Sequence, residues 1–291
     1  MPDKSSSVLQ AMFIGVLARL PFEMHFHLQE LGYLQGNIHL REGMNLTNRD
    51  IDILKALALG VSSFQMLFRF LTKVFDYDIS ETALLRRLSM LYRSGYIARR
   101  KEPYRRRSGH FTLYALTRTS ASELAALGCS CESMRVGLPT TFFVRHEINV
   151  TAVLHTIHRD VTRARGKYSF TDSNVQKQNR RKGSRDPVPD LSVSLWMGQR
   201  RIDMNIEVDL GKVLISKMVR RIADQADKRL LIIMCKSKTR LRNLQKACFR
   251  TSFPGQGSVV FGLLDDFFKH GLRTDFIVIT GETGRLTLDD N

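Results

Sequence analysis

Acidic residues are scarce in this chain: 28 Asp and Glu stand against 45 Lys and Arg, a formal charge of +17 with pI near 10.1. Such a deficit excludes a basic partner and points to a polyanion, either nucleic acid or an anionic membrane face. Long apolar runs are missing too. The most apolar early stretch, Val8 to Leu20, is broken by Gln10 and Arg19 and ended by Pro21, short of the ~20 residues a spanning helix needs. Membrane insertion is therefore not expected, and nucleic acid remains as the polyanion. The N-terminus sets Lys4 against Asp3 and shows no clear small-residue cleavage site, so it lacks the marks of a signal peptide and the expected location is the cytoplasm. Cysteine is sparse. Cys129, Cys131, Cys235 and Cys248 form neither repeated CxxC pairs nor a dense framework, which argues against zinc and disulfides and for reduced, structural thiols.

What the chain does have is size and pattern. Its 291 residues, 43% of them apolar, suffice for two domains with a core in each. Residues 1–44 read as a helical extension, with His25 and His27 on different helical faces and so poorly placed to share a metal. From residue 45 the signals sharpen. Thr47 or Asn48 can cap a helix through Ile51, Leu54 and Leu57; Ser62 or Ser63 starts a second; Ser80 caps a third, SETALLRRLSMLYRSGY, closed by Gly95. In that third helix Leu84, Leu85, Leu88 and Leu91 are expected inside, and Arg86, Arg87 and Arg93 outside.

YIAR, a polar tip KEPYRRRSG and the alternating HFTLYALT then form a β-hairpin pattern. Three helices and a basic hairpin make a winged helix-turn-helix over residues 45–128, in which the third helix enters the major groove and the wing touches phosphates. Arg99, Arg100, Lys101, Arg105, Arg106 and Arg107 crowd this wing, opposed by Glu102. The fold class expected is α+β in two domains, with a linker over 129–140 and a second domain over 141–291.

That second domain opens on a helix, FVRHEINVTAVLHTIHRD, with His146 and Glu147 near its start, followed by a strand, KYSFTDS. A polar stretch after it carries Arg180, Arg181, Lys182 and Arg185, which read equally as a further phosphate contact or as a flexible surface loop. Between Asp190 and Asp209 two alternating segments flank Gly198-Gln199, and glycine first suits a two-residue type II′ hairpin. Centring the turn there places Asp190 opposite Glu207, with Glu207 and Asp209 on one face. Directly paired residues lie only ~4.5 to 5.5 Å apart at Cβ, so these carboxylates repel unless something positive sits among them. A Mg²⁺ or Mn²⁺ ion with oxygen ligands meets that need and can activate water at a phosphate. Strand-end acids each paired with one of the many arginines meet it equally.

An amphipathic helix, KVLISKMVRRIADQADKR, and an apolar strand, LLIIMC, follow; VVFGLLDDFFKHG reads as a packing helix and DFIVIT as a terminal strand. Helix with Glu, strand, strand starting with Asp, strand bearing ExD, helix, strand is the order of a restriction-endonuclease-like α/β core with a mixed sheet.

The stretches LTNRDIDILKALA, RRLSMLYRSGYIARR, YALTRTSASELAALG, HEINVTAVL and PDLSVSL followed by NIEVDLGK resemble the replication-relaxation family of plasmid-mobilisation and replication proteins. The resemblance spans about residues 45 to 235. It implies a winged helix followed by a PD-(D/E)xK-type nuclease domain, with Glu147 as the helix acid, Asp190 as the PD aspartate and Glu207 as the first acid of the third element, these three holding the metal. Asp209 stands where that element has lysine, so Lys217, or Lys212, on the following helix would have to supply the cation. An active site of Glu147, Asp190, Glu207, Asp209 and Lys217 would make the chain a metal-dependent, site-specific relaxase or nickase. Its partners would be duplex DNA at an origin of transfer or replication, other mobilisation or replication proteins, and, in a homodimer, a second copy. The alternative is a regulator or replication accessory factor in which the nuclease fold is scaffold. Covalent nicking by tyrosine is weaker, because Tyr92, Tyr96, Tyr104 and Tyr114 all have wing or core explanations.

Overall fold

The computed structural model describes residues 38–39, 45–104, 108–129, 134–173, 176, 187–226 and 229–286. His25, His27, Arg105, Arg106, Arg107, Arg180, Arg181, Lys182 and Arg185 lie outside the described residues, as does most of the N-terminal extension. The fold is mixed α and β, and the chain divides into two compact units, residues 1–138 and 139–291. Among the described residues no helix is long and apolar enough to cross a membrane.

In the first unit β1 (Ile38–His39) and β2 (Asn45–Leu46) pair antiparallel. Helix α1 (Asn48–Ala58) starts at Thr47, whose side chain accepts from the Asp50 N–H while the Asp50 carboxylate accepts from the Thr47 N–H, a reciprocal capping box. Ser63 caps α2 (Phe64–Val74) and Ser80 caps α3 (Glu81–Arg93). A chain reversal at Gly95, with φ of 77°, leads into the hairpin of β4 (Ile97–Pro103) and β5 (His110–Leu116). The strand β3 (Ser62–Ser63) joins β5, a third sheet member that two serines give no reason to expect. Helix α4 (Arg118–Ala126), capped by Thr117, completes the unit. Its core is leucine-rich: Leu54, Leu57, Leu67, Leu71, Leu84, Leu88, Leu91, Leu113 and Leu116 are all buried. Leu85, expected with them, is instead 47% exposed. The i, i+4, i+7 positions 84, 88 and 91 share one helical face, and Leu85 is turned away from it.

The second unit is built on a seven-stranded sheet in the order β12-β11-β10-β9-β8-β7-β6. These are β6 (Lys167–Asp172), β7 (Leu191–Met197), β8 (Arg200–Asp209), β9 (Leu230–Cys235), β10 (Val259–Leu263), β11 (Phe276–Val278) and β12 (Thr283–Gly284). Strands β8, β9 and β10 run parallel and the other neighbours antiparallel, so the sheet is mixed. Helix α5 (Val144–Arg163) precedes the sheet in sequence; α6 (Ile215–Gln225) links β8 to β9, α7 (Lys238–Arg250) links β9 to β10, and α8 (Leu264–His270) follows β10. Met218, Val219 and Ile222 of α6 and Leu241, Leu244 and Cys248 of α7 bury Leu231, Ile233, Cys235, Val259 and Phe261 on one face. The intervening Ile232 and Met234 are buried as well, and by the period-2 geometry of a strand they point to the opposite face. Cys235 and Cys248 lie in this core as free thiols, pushed up by burial to about 12 and about 11, and take a purely packing role.

Two expectations are corrected here. VVFGL is not the start of a helix but the strand β10, and only LDDFFKH is helical. A parallel strand buried on both sides shows no alternation and reads like a buried helix segment. Helix α7 is the second correction, an element absent from the order expected of the sequence.

Candidate functional site

The β7–β8 hairpin has the register read from its turn. Met197 pairs with Arg200 and Leu191 with Ile206, which continues to Asp190 opposite Glu207. Gly198 has φ of 57° and Gln199 is not left-handed, as a type II′ turn requires. Asp190, immediately before β7, and Glu207 are both buried, the latter to 1% exposure. Helix α5 brings His146 to the same place: its Nε2 lies 2.9 Å from Asp190 Oδ2, and its Nδ1 lies 3.6 Å from Glu147 Oε1. Glu147 thus stands at the edge of the pair through His146.

The charge between the two acids belongs to the protein. Arg221, on α6, puts Nη2 at 2.8 Å from Glu207 Oε1 and 3.7 Å from Asp190 Oδ1. The same guanidinium donates to the Val188 carbonyl at 3.0 Å. One turn further along, Gln225 Nε2 donates to Glu207 Oε1 at 2.7 Å, and the Val208 N–H donates to Asp190 Oδ2 at 2.8 Å. Asp209 forms a separate clasp: Arg240 of α7 donates to its carboxylate at 2.6 Å and to the Val213 carbonyl at 2.6 Å, while the Gly211 N–H closes on Asp209 Oδ1 at 3.0 Å. Arg240 therefore ties α7 to the loop after β8.

These contacts decide how well a divalent ion fits. Glu207 Oε1 already accepts two donors, one of them a cation, and among the described residues no group of three His, Cys, Asp or Glu side chains converges as a metal would need. Lys217 is exposed on α6, and Lys212 is exposed with its Nζ 5.0 Å from the Phe142 ring centre. The cation that meets Asp190 and Glu207 is Arg221, not either lysine. As arranged, the residues do not fit a Mg²⁺ or Mn²⁺ ion. Sequence reasoning misses Arg221, Gln225 and Arg240, and the only advance signal of the first two is the arginine-rich stretch MVRRIADQ that follows Lys217.

The cluster has a pH signature. Burial works against the His146 imidazolium, but the hydrogen bonds and charges of Asp190 and Glu147 prevail and raise it from 6.5 to about 9. Burial, then the Asp190 charge, pushes Glu207 up to about 8 against the opposing Arg221, Gln225 and His146. Asp190 is itself held low: burial would raise it, but His146, the Val208 N–H and Arg221 outweigh that. For both raised groups the folded state keeps a proton that the unfolded chain has released, so their stabilisation is lost as pH rises. Melting temperature should therefore fall from about pH 4.5, where the Glu207 shift begins, to about pH 9, where the His146 shift ends, and the part above about pH 6.5 should flatten in His146→Ala. An equal slope in the variant would show that other groups set it.

In the first unit the expected DNA-facing cations divide. Arg86 and Arg93 are exposed on α3, and Arg86 lines a shallow concavity with Ser80, Thr82, Ala83, Arg87 and Met90. Arg99 is exposed and lies 4.0 Å over the Tyr92 ring, and Lys101 is exposed on β4. Arg87 is a correction: it turns inward to ion-pair with Asp50, which is completely buried. Arg100 is likewise engaged, by the buried Glu102 at 2.5 Å.

No protein-family model and no curated protein matches the chain. Among solved structures it is similar to Bacillus subtilis PadR in complex with operator DNA, at 14% identity and a TM-score of 0.26, over 47% of this chain and 81% of that one. A likeness that loose carries no weight for fold or function.

Proposed function

We propose that this chain is a duplex-DNA-binding protein, a regulator or replication accessory factor of a mobile element, whose winged helix reads the site and whose nuclease-like core is scaffold. The observation that carries the scaffold half is Arg221, a guanidinium standing where a catalytic cation would have to sit between Asp190 and Glu207. The DNA-binding half is supported by the net charge of +17 and by Arg86, Arg93, Arg99 and Lys101 exposed on α3 and its hairpin. Helix α3 would meet base edges and the wing would meet phosphates.

A second reading, a metal-dependent relaxase or nickase of the replication-relaxation kind, is favoured by the paired register of Asp190 and Glu207 with His146 and Glu147 beside them. It requires Arg221 to leave and Lys217 to turn in. Supercoiled DNA carrying the cognate origin, incubated with the protein and Mn²⁺, separates the two: the scaffold reading expects no open circles, and their appearance, abolished by Glu207→Gln, would establish the nickase. For the winged helix, alanine at Arg105, Arg106 and Arg107 should flatten the dependence of log K on log salt by about 0.9 for every phosphate that is no longer neutralised. Arg86→Ala should instead change the preference for cognate over random duplex. Unchanged salt slope and unchanged preference together would overturn the assignment.

A further inference from the structure

The helix α7 carries a feature that none of the site residues explains. Lys238, Arg242, Lys246 and Arg250 recur every fourth residue along it, and all four are exposed. Four residues of α-helix rise about 6 Å, so the cations form an evenly spaced ladder on one side while Leu241, Leu244 and Cys248 bury the other. Among the described residues none of the four meets an acid. The fifth cation of the same helix, Arg240, is the one engaged by Asp209. A ladder of unneutralised cations repels itself, and a polyanion laid along it relieves that repulsion.

Aromatic rings stand at both ends of the ladder. Phe249, between Lys246 and Arg250, is 62% exposed. At the other end Arg240 holds the Val213 carbonyl; the preceding residue, Lys212, lies over Phe142, which is 72% exposed and packs edge-on against the half-exposed Phe143 at 5.0 Å. Burying such rings is the rule, and this unit buries Phe261 and Phe267 without difficulty. Exposed rings beside unpaired cations match the demands of a chain with phosphates for the cations and free base faces for the rings. A duplex offers the first and withholds the second, since its bases are stacked inside.

We infer that α7, with Phe142 and Phe249 at its two ends, is a binding track for single-stranded nucleic acid. Backbone phosphates follow Lys238, Arg242, Lys246 and Arg250, and unpaired bases stack on the two rings. This surface lies wholly in the second unit and stands whether or not the first unit reads duplex DNA. It suits a protein that acts where strands have been opened.

The test uses the full chain and a fluorescein-labelled oligothymidylate of about twenty nucleotides, with a duplex of equal length as reference, both titrated by anisotropy across a salt series. In the triple variant Arg242→Ala, Lys246→Ala, Arg250→Ala, the salt slope for the oligothymidylate should fall by about 2, at about 0.7 for each phosphate released. Phe142→Ala should weaken it about tenfold with the slope unchanged, because stacking is not ionic. Arg86→Ala with Arg93→Ala should spare the oligothymidylate and weaken the duplex. Unaltered melting certifies the fold of the second-unit variants, followed by the fluorescence of Trp196, and unaltered hydrogen exchange of the α3 amides certifies that of the Arg86, Arg93 variant. Oligothymidylate binding that is untouched by the triple variant and by Phe142→Ala would overturn the track. Duplex binding that ignores Arg86 and Arg93 would instead count against the winged-helix reading and leave the track standing.

Discussion

An Arg221→Ala protein should be less stable than the parent by about 2 to 3 kcal/mol and should gain an affinity for Mn²⁺ that the parent lacks. The loss follows from leaving two buried acids with one cation fewer. Breaking a buried pair costs about 3 to 5 kcal/mol, and the guanidinium, 37% exposed, is screened enough to bring that down. The gain follows from the same substitution: Asp190 and Glu207 remain paired across β7 and β8, and an inserted divalent ion restores the missing charge. At a concentration one hundred times its Kd it returns about 2.7 kcal/mol. Urea unfolding with and without Mn²⁺, followed by Trp196 in β7, the single tryptophan of the chain, reads both effects. Mn²⁺ electron paramagnetic resonance counts the bound ion directly. Arg221→Lys should recover part of the stability and bind no Mn²⁺. A parent protein that binds Mn²⁺ as tightly as Arg221→Ala would remove the ground for the scaffold reading.

Asp190 shows how the same contacts reverse a simple electrostatic expectation. From the hairpin pattern alone, deleting one of two apposed carboxylates relieves repulsion and leaves the metal-free protein as stable or more so. In the fold, the Asp190 carboxylate accepts from Val208 and His146 and faces Arg221. Removing it strands a buried backbone N–H and an imidazolium, and such orphaned groups cost stability. The acids are legible because strand periodicity and one glycine at a turn are local signals. Their partners are not. Arg221 lies 14 residues beyond Glu207 and Arg240 lies 31 beyond Asp209, and which of many arginines reaches a given carboxylate is decided by helix packing.

The same division runs through the rest of the chain. Thr47, Ser63 and Ser80 cap the helices that their sequence contexts announce, because a cap is a contact within three residues. Helix α7 is hidden although Ser237 caps it and Leu241, Leu244 and Cys248 hold its inner face. Five Lys and Arg in KTRLRNLQKACFR outnumber the three buried positions that reveal its period. Strand β10 is obscured for the opposite reason, an unbroken apolar run with no polar face to mark it.

Arg87→Ala should unfold the first unit more readily by about 3 kcal/mol, while Arg86→Ala, its neighbour in sequence, should change stability by less than about 0.5 kcal/mol. The two arginines look alike in RRLSML, but α3 sends them to different places. Arg86 stays in solvent; Arg87 reaches across to Asp50 in the first turn of α1, where the carboxylate is also bonded to the Thr47 N–H and hydroxyl. Asp50 is completely buried, so truncating Arg87 leaves an anion with only its capping partners and no counter-charge. Hydrogen exchange of the α1 and α3 amides would follow the first unit, and Trp196 fluorescence would follow the second, where no change is expected. Asp50→Asn combined with Arg87→Met removes both charges together and should restore most of the loss, since an uncharged pair needs no compensation. DNA binding supplies the independent readout: Arg86→Ala alters the choice of duplex at unchanged stability, whereas Arg87→Met with Asp50→Asn leaves that choice as it was. If Arg87→Ala proved as stable as the parent and bound cognate duplex less selectively, Arg87 would belong on the recognition surface and not in the joint between α1 and α3.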